Sequence, residues 1–423
     1  MTPGDAPMPM ESGHPGWRRT IALAAVTGAT TGTFVAGFEW LVVDAMFDHF
    51  AELPIWLLVA APIVGLALAA LCLRFSGRAS SATADAYITA FHDPAQPIVT
   101  RTVPGRMLAS LSTLGFGNPM GLEGPSMFVG AAIGSFLQRR FGRFFADADR
   151  RVLLVAGAAA GIAAIFKAPM TGVVFALEVP YRDGFERKML LPTLVSGATS
   201  YLVFAAINGT TPLLPIHGAP PFTITDLVGA IGLGIVAGFG ARGFAIMTRA
   251  AKGLARGPRP VLRIVGAGIV IGSILLITHE ITGHVLTVGA GYGTVSWALA
   301  RNRAVWILLL VLVLRAVATG ASIAGGGAGG LFVPLVVSGA LLGRAAAGIV
   351  PGLDENLSLV IGVAAFLGAG YRVPLAAVIF VAETTGRPGF IVPALLAAVA
   401  AELVMGTESV TEYQRSAEAP LAD

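Results

Sequence analysis

Long, predominantly apolar segments dominate this sequence and decide which classes of fold it can adopt. Residues 20–47 and 54–74 are each long enough to cross a bilayer as a helix, which needs about 20 apolar residues. Only 12% of the residues are charged, about half the share of a soluble domain, so a soluble fold of this size is excluded. Transmembrane strands alternate in polarity, and these segments do not. The sequence therefore predicts an all-α polytopic membrane protein.

Cysteine, histidine and net charge exclude several function classes. Cys72 is the only cysteine, so no internal disulfide framework and no cysteine-rich metal site is expected. His279 and His284 are five positions apart rather than the four that a zinc-binding helical face requires, so no metal is expected. The net charge of +4 is not clustered on a polar domain, and nucleic acid is not an expected partner. No nucleophile–base pair lies in the spans, so neither a cofactor nor enzymatic activity is predicted.

Basic residues recur in alternate loops and indicate the orientation of the chain. Residues 1–16 are polar and rich in proline and glycine, and we predict a flexible cytoplasmic tail. Loops with few basic residues, such as 208–222, separate the basic ones, and basic loops face the cytoplasm. The inward-facing basic residues are predicted to be Arg74, Arg78, Arg139, Arg140, Arg143, Arg150, Arg151, Arg182, Arg187, Lys188, Arg249, Lys252, Arg256, Arg259 and Arg263.

Short apolar segments broken by glycine or proline occur beside the long ones. They are residues 107–120, 126–137, 330–344 and 374–384. Helices this short must end inside the protein, around a cavity or a pathway, because backbone groups cannot be left unpaired in lipid.

An internal repeat relates the two parts of the chain. Residues 161–179 align without gaps with 366–384, placing Glu178 on Glu383, and residues 121–134 align with 330–343. The two aligned pairs occur in the same order, which predicts two homologous halves. The predicted halves are residues 17–214 and 215–423, the second including a short C-terminal segment. A repeat that brings discontinuous helices to mid-membrane is typical of transporters.

The sequence GLEGP at 121–125 predicts a gated anion site. Glycine permits a tight turn, and Pro125 suits the first turn of a helix. A helix start offers unpaired N–H groups and a partial positive charge, which favour an anion. The carboxylate of Glu123 could fill that site and leave it when protonated, which would make it a gate. The alternative is that such glycine-rich breaks only allow close helix packing.

A second helix start, GGLFVP at 329–334, lies in the other predicted half, with Phe332 opposite Glu123. Both motifs resemble those of the CLC family of chloride channels and chloride/proton exchangers, the voltage-gated chloride channels. STLGFGNPMGLEGP, GAAAGIAAIFKAPMTGVVFALE and LRAVATGASIAGGGAGGLFVP also resemble CLC segments and occur in the family's order. The resemblance covers residues 20–410. It implies a homodimer of independent pores, each of two inverted repeats, that passes chloride or a similar small anion across the lipid bilayer of a bacterial inner (plasma) membrane.

The resemblance also assigns roles to single residues. It implies that Glu123 is the gating glutamate and that backbone N–H groups bind the anion. Those anion-binding residues would be Gly121, Leu122, Gly124, Leu331 and Phe332.

The inner-gate motifs depart from the family pattern. The family's inner serine falls on Ala82, with Ser81 and Thr83 beside it. The family's C-terminal tyrosine falls on Thr411, two residues before Tyr413. Ala82, Ser81 and Thr411 are therefore the candidate inner anion-binding residues, and their hydroxyl placement differs from that of the family.

Val179 occupies the position of the proton-transfer glutamate that exchangers of the family carry. Since valine cannot bind a proton, this departure favours a passive channel. A chloride/proton antiporter is the alternative, and so is selectivity for another anion such as fluoride or nitrate.

Overall fold

The computed structural model describes residues 15–77, 79–141, 151–211, 213–214, 216, 222–300 and 303–417. Of the predicted tail at residues 1–16, only Pro15 and Gly16 belong to this part, and they begin the first helix. Of the predicted inward-facing residues, Arg78, Arg143 and Arg150 also lie outside it.

The described chain is built of helices, which confirms the all-α prediction. Nine form the earlier part: α1 Pro15–Val42, α2 Asp48–Ala51, α3 Ile55–Phe75, α4 Thr83–His92, α5 Val103–Gly115, α6 Glu123–Phe141, α7 Val152–Ile165, α8 Pro169–Glu178 and α9 Leu190–Asn208. The later helices are α10 Ile224–Ala255, α11 Pro260–Thr282, α12 Tyr292–Leu299, α13 Val305–Ala324, α14 Phe332–Ile349, α15 Glu355–Tyr371, α16 Pro374–Thr385 and α17 Ile391–Met405. Within the described residues, β pairing is confined to two isolated bridges, Gly121–Gly330 and Tyr181–Arg415.

Eight helical stretches of the described chain are long and apolar enough to cross a membrane. They are Trp17–Ala51, Ile55–Phe75, Arg187–Asn208, Ile224–Ala255, Pro260–Thr282, Val305–Ala324, Phe332–Ile349 and Pro388–Met405. Shorter apolar helices lie among them, namely α7, α8, α15 and α16. The segment 330–344 is longer than predicted, because the alanine-rich residues after it continue the helix to Ile349.

The core is formed by α7 and α15, whose side chains are buried almost throughout. Glycines let each of them approach a neighbouring helix closely. A Cβ atom on Gly130 of α6 would overlap the carbonyl of Gly157 of α7, and one on Gly339 of α14 would overlap that of Gly362 of α15. Gly130 and Gly339 are equivalent positions in the predicted repeat, so the same close contact occurs in both parts of the chain.

Lys167 and Arg372, also equivalent in the repeat, both adopt the left-handed backbone conformation, with φ of 53° and 59°. Lys167 lies between α7 and α8, and Arg372 lies between α15 and α16. The break between α7 and α8 therefore has the same backbone conformation as the break between α15 and α16. The boundaries of the two halves, 17–214 and 215–423, remain a prediction.

Candidate functional site

The two glycine-rich helix starts meet in the interior. The Gly121 N–H donates to the Gly330 carbonyl at 2.9 Å, and the Gly330 N–H donates to the Gly121 carbonyl at 2.7 Å. These reciprocal bonds place the start of α6 next to the start of α14. A Cβ atom at either position would overlap the carboxylate of Glu123, so only glycine leaves room for that side chain.

Glu123 is the first residue of α6 and is only 1% exposed. Its Oε1 accepts a hydrogen bond of 2.5 Å from the backbone N–H of Phe332, at the start of α14. Its Oε2 has no hydrogen-bond partner among the described residues. The carboxylate therefore occupies the N-terminus of the facing helix, where the partial positive charge favours an anion.

The predicted backbone donors have different surroundings. The N–H of Gly121 is engaged by Gly330, and that of Leu331 donates to the hydroxyl of Tyr371 at 3.3 Å. The N–H of Phe332 holds the Glu123 carboxylate. Leu122 and Gly124 are buried at the start of α6, and an anion-binding role for their N–H groups remains a prediction.

A cavity of about 890 Å³ leads toward this site from the end of the molecule that carries the basic loops. Gly330, Leu331 and Tyr371 form part of its wall. Its basic wall residues are Arg106, Lys252, Arg256 and Arg263. Asp85 and Glu412 also line it and pair with Lys252 and Arg256, so the wall keeps a net positive charge, which favours the entry of anions.

Thr83 carries the one buried hydroxyl of the cavity wall that has no partner within the described chain. Thr83 is 1% exposed, and its Oγ1 has no hydrogen-bond partner among the described residues. A Cβ atom on Gly124 would lie 2.6 Å from this oxygen, so the hydroxyl lies against the start of α6. Thr83 also begins α4, whose own N-terminus adds a partial positive charge.

The three inner residues predicted from the motifs also line the cavity. In the described chain, none of them has a buried, unpaired hydroxyl like that of Thr83. Ala82 has no polar side-chain atom, and its N–H donates to the Ser80 hydroxyl at 3.2 Å. Ser81 is half-buried. The Thr411 hydroxyl is already paired with the Ser409 hydroxyl at 2.9 Å. Alignment to the family motif places the expected serine on Ala82, one residue before Thr83.

The C-terminal segment, residues 406–417, lies along the basic end of the molecule. The Nζ of Lys252 binds Asp85 at 2.5 Å and the carbonyl of Val410 at 2.9 Å, while the Arg256 guanidinium pairs with Glu412. Asp183, in the loop after α8, accepts from the Ala417 N–H at 2.8 Å. That bond, with one from Ser416, lowers the pKa of Asp183. These contacts hold the segment in the wall of the cavity.

Val179, the position of the expected proton carrier, is completely buried at the end of α8. Its carbonyl accepts from the side-chain amide of Gln414 at 2.9 Å. The neighbouring Glu178 accepts from the N–H groups of Leu375 and Ala376, at 3.2 and 2.9 Å. Glu178 thus caps α16, which belongs to the other predicted half.

Arg315 is a buried cation inside α13. Its guanidinium donates to the carbonyls of Leu286 and Gly289, both at 2.7 Å. Its partners therefore lie in the loop that precedes α12.

Comparison with known proteins gives consistent results. The family described as "Voltage gated chloride channel" matches residues 64–406. An "H(+)/Cl(-) exchange transporter ClcA" from Yersinia pestis is 26% identical over 411 residues, covering 91% of this chain and 84% of that protein. A relative of the same name from Salmonella arizonae is 29% identical over 316 residues, covering 72% of this chain and 66% of that protein.

Solved structures share the fold. A slow cyanobacterial Cl-/H+ antiporter superposes with a TM-score of 0.81 at 24% identity, covering 94% of this chain and 96% of that one. A CLC-type fluoride/proton antiporter superposes with a TM-score of 0.80 at 22% identity, covering 95% and 98%. At these identities the likeness establishes the architecture.

Proposed function

The chain belongs to the voltage-gated chloride channel family, and on that premise we propose that it exchanges chloride for protons across a membrane. The observation that carries the proposal is the placement of Glu123, a titratable carboxylate held by the N–H of Phe332 where an anion would bind. The names of the relatives support exchange, rather than the passive channel that Val179 indicated. The family is one of transporters and channels, not a family of enzymes.

The exchange follows from competition for one set of donors. A carboxylate is a strong acceptor for the Phe332 N–H, whereas a neutral carboxylic acid is a weaker one. Protonation of Glu123 therefore frees that N–H for chloride, and loss of the proton lets the carboxylate displace the chloride. The carboxylate and chloride thus compete for the same N–H group, and the proton on Glu123 determines which of them is bound.

The membrane, the oligomeric state and the orientation of the protein form part of the same proposal. The apolar helices and the family relationship make the chain an integral membrane protein. We infer that the membrane is a bacterial inner membrane and that the protein is a homodimer, each subunit with its own pathway. The basic end of the cavity would face the cytoplasm, as basic loops generally do.

The exchange is tested with the purified protein in liposomes, reading a chloride electrode and a pH electrode together. We expect chloride leaving the vesicles down its gradient to drive protons into them. Chloride efflux without proton movement would instead identify a passive channel. Repeating the measurement with fluoride or nitrate in place of chloride gives the selectivity that the altered inner motifs left open.

The hydroxyl of Thr83 is proposed to bind the anion at the inner end of the pathway. We expect Thr83→Val to weaken chloride binding about fivefold, because one hydrogen bond contributes about 1 kcal/mol. Titration calorimetry of the protein in detergent measures this affinity.

Thr411→Val provides the matched control. The Thr411 hydroxyl is paired with Ser409, so its loss should change chloride affinity less than that of Thr83. If Thr411→Val weakened binding more than Thr83→Val, the inner site would lie at the position predicted from the family motif.

A further inference from the structure

Tyr371 brings a phenol to the closed end of the cavity. It is the last residue of α15 and is 2% exposed, yet it forms part of the cavity wall. Its ring packs edge-on against Phe175, with ring centroids 5.3 Å apart. Its hydroxyl accepts the Leu331 N–H at 3.3 Å, the one hydrogen bond of that hydroxyl within the described chain. A phenol that accepts one bond still has its own proton to donate.

Glu123 and Tyr371 are held by consecutive backbone amides. The N–H of Leu331 binds the phenol oxygen, and the N–H of Phe332 binds the Glu123 carboxylate. The phenol and the carboxylate are therefore anchored on neighbouring residues at the start of α14, and no hydrogen bond joins them within the described chain. Tyr371 lines the cavity whereas Glu123 does not, so the phenol is the nearer of the two to the cavity.

The other acids at this end of the molecule are already engaged. Both oxygens of Glu178 accept N–H groups of α16. Asp85 also lines the cavity, but it is held by Lys252 at 2.5 Å and by the N–H of Glu412 at 3.1 Å. Glu402 pairs with Arg372 at 2.9 Å. Among these groups, the phenol is the one with a transferable proton and contact with the cavity.

We propose that the hydroxyl of Tyr371 relays protons between the cavity and Glu123, in place of the acid that Val179 lacks. A hydronium ion in the cavity gives its proton to the phenol oxygen while the phenol passes its own proton to the carboxylate. Water, a neutral phenol and a neutral carboxylic acid result, so charge and atoms balance. The reverse sequence returns the proton to the cavity. This inference rests on the proposed exchange.

The relay is tested with Tyr371→Phe, which keeps the ring and removes the hydroxyl. In liposomes we expect chloride-driven proton transport to fall about tenfold or more, as for loss of a proton-transfer group, while chloride efflux stays within about threefold. Tyr413→Phe is the matched control, since Tyr413 also lines the cavity but is 49% exposed. We expect that variant to keep both fluxes.

Each other outcome decides against the relay. A Tyr371→Phe protein that keeps the wild-type ratio of protons to chloride overturns the relay and leaves the exchange intact. Equal loss of both fluxes would place the hydroxyl in the anion path only. A wild-type protein that moves no protons would overturn the exchange itself, and the relay with it.

A substitution that preserves shape covers the case in which Tyr371→Phe does not fold. Incorporation of 3,5-difluorotyrosine at position 371 lowers the pKa of the phenol with little change in its size. We expect the pH profile of proton transport to shift to lower pH. Incorporation of the same analogue at position 413 should leave the profile unchanged. An unshifted profile with the analogue at position 371 would contradict the relay.

Discussion

Replacement of Glu123 by glutamine is expected to abolish proton transport while chloride still crosses the membrane. Glutamine keeps the size of the side chain and is neutral, like the protonated acid, but it cannot take up or release a proton. It imitates the protonated gate permanently, so chloride keeps access to the freed donors. We expect chloride-driven proton transport to fall about 100-fold or more, the scale of losing an acid–base group.

The pH response of the anion flux gives a second readout of the same substitution. In the wild type, acid pH protonates Glu123 more often, frees the Phe332 N–H and speeds chloride efflux. The glutamine side chain has no such dependence, so efflux should become independent of pH. Glu280→Gln, the same change at an exposed acid, should leave both the proton flux and the pH response as in the wild type. A pH response that survives in Glu123→Gln would remove Glu123 from the gate.

The contact between Glu123 and Phe332 could be foreseen from the sequence because it depends on local features. Each glycine-rich motif predicts a helix start, and the internal repeat indicates that the two starts are equivalent. The structure joins them through Gly121 and Gly330, with the carboxylate on the facing amide. Backbone conformation and repeat symmetry were sufficient for this part of the site.

The roles proposed for Tyr371 and Thr83 could not be foreseen in the same way, because they depend on which side chains line one cavity. Alignment to the family motifs directed attention to Ala82 and Thr411 instead. One signal was present in the repeat, where Tyr371 aligns with Phe166 and differs from it by a hydroxyl group. A buried hydroxyl needs a partner, so such a difference indicates a polar neighbour.

Glu178 and Glu383 show a further limit of prediction from the repeat. The repeat aligns the two residues with each other, and in the structure they cap each other's helices. Glu178 ends α8 and caps α16, while Glu383, near the end of α16, accepts from Met170 and Thr171 at the start of α8. The two helices pack together, and equivalence in a repeat does not reveal which elements pack across it.

Loss of either cap is expected to destabilise the protein strongly. Glu383 accepts the N–H of Met170 at 2.9 Å, the N–H of Thr171 at 2.7 Å and the Thr171 hydroxyl at 2.6 Å. Each hydrogen bond to a charged group contributes roughly 1.5–3 kcal/mol, and an amide presents only one acceptor oxygen and an NH₂ that faces the other donors. We therefore expect Glu383→Gln to cost about 3 kcal/mol of folding stability, and Glu178→Gln slightly less.

Melting temperature in detergent measures the loss of either cap, with the exposed Glu52→Gln as the control that should leave it unchanged. The double variant should lose less than the sum of the two single losses, because both caps act on the same pair of packed helices. Phe175 of α8 and Phe380 of α16 pack on the ring of Phe332, at 5.4 and 4.9 Å between centroids. The caps therefore also support the residue whose N–H holds Glu123. Unchanged melting in both single variants would mean that water replaces the carboxylates at these helix starts without loss.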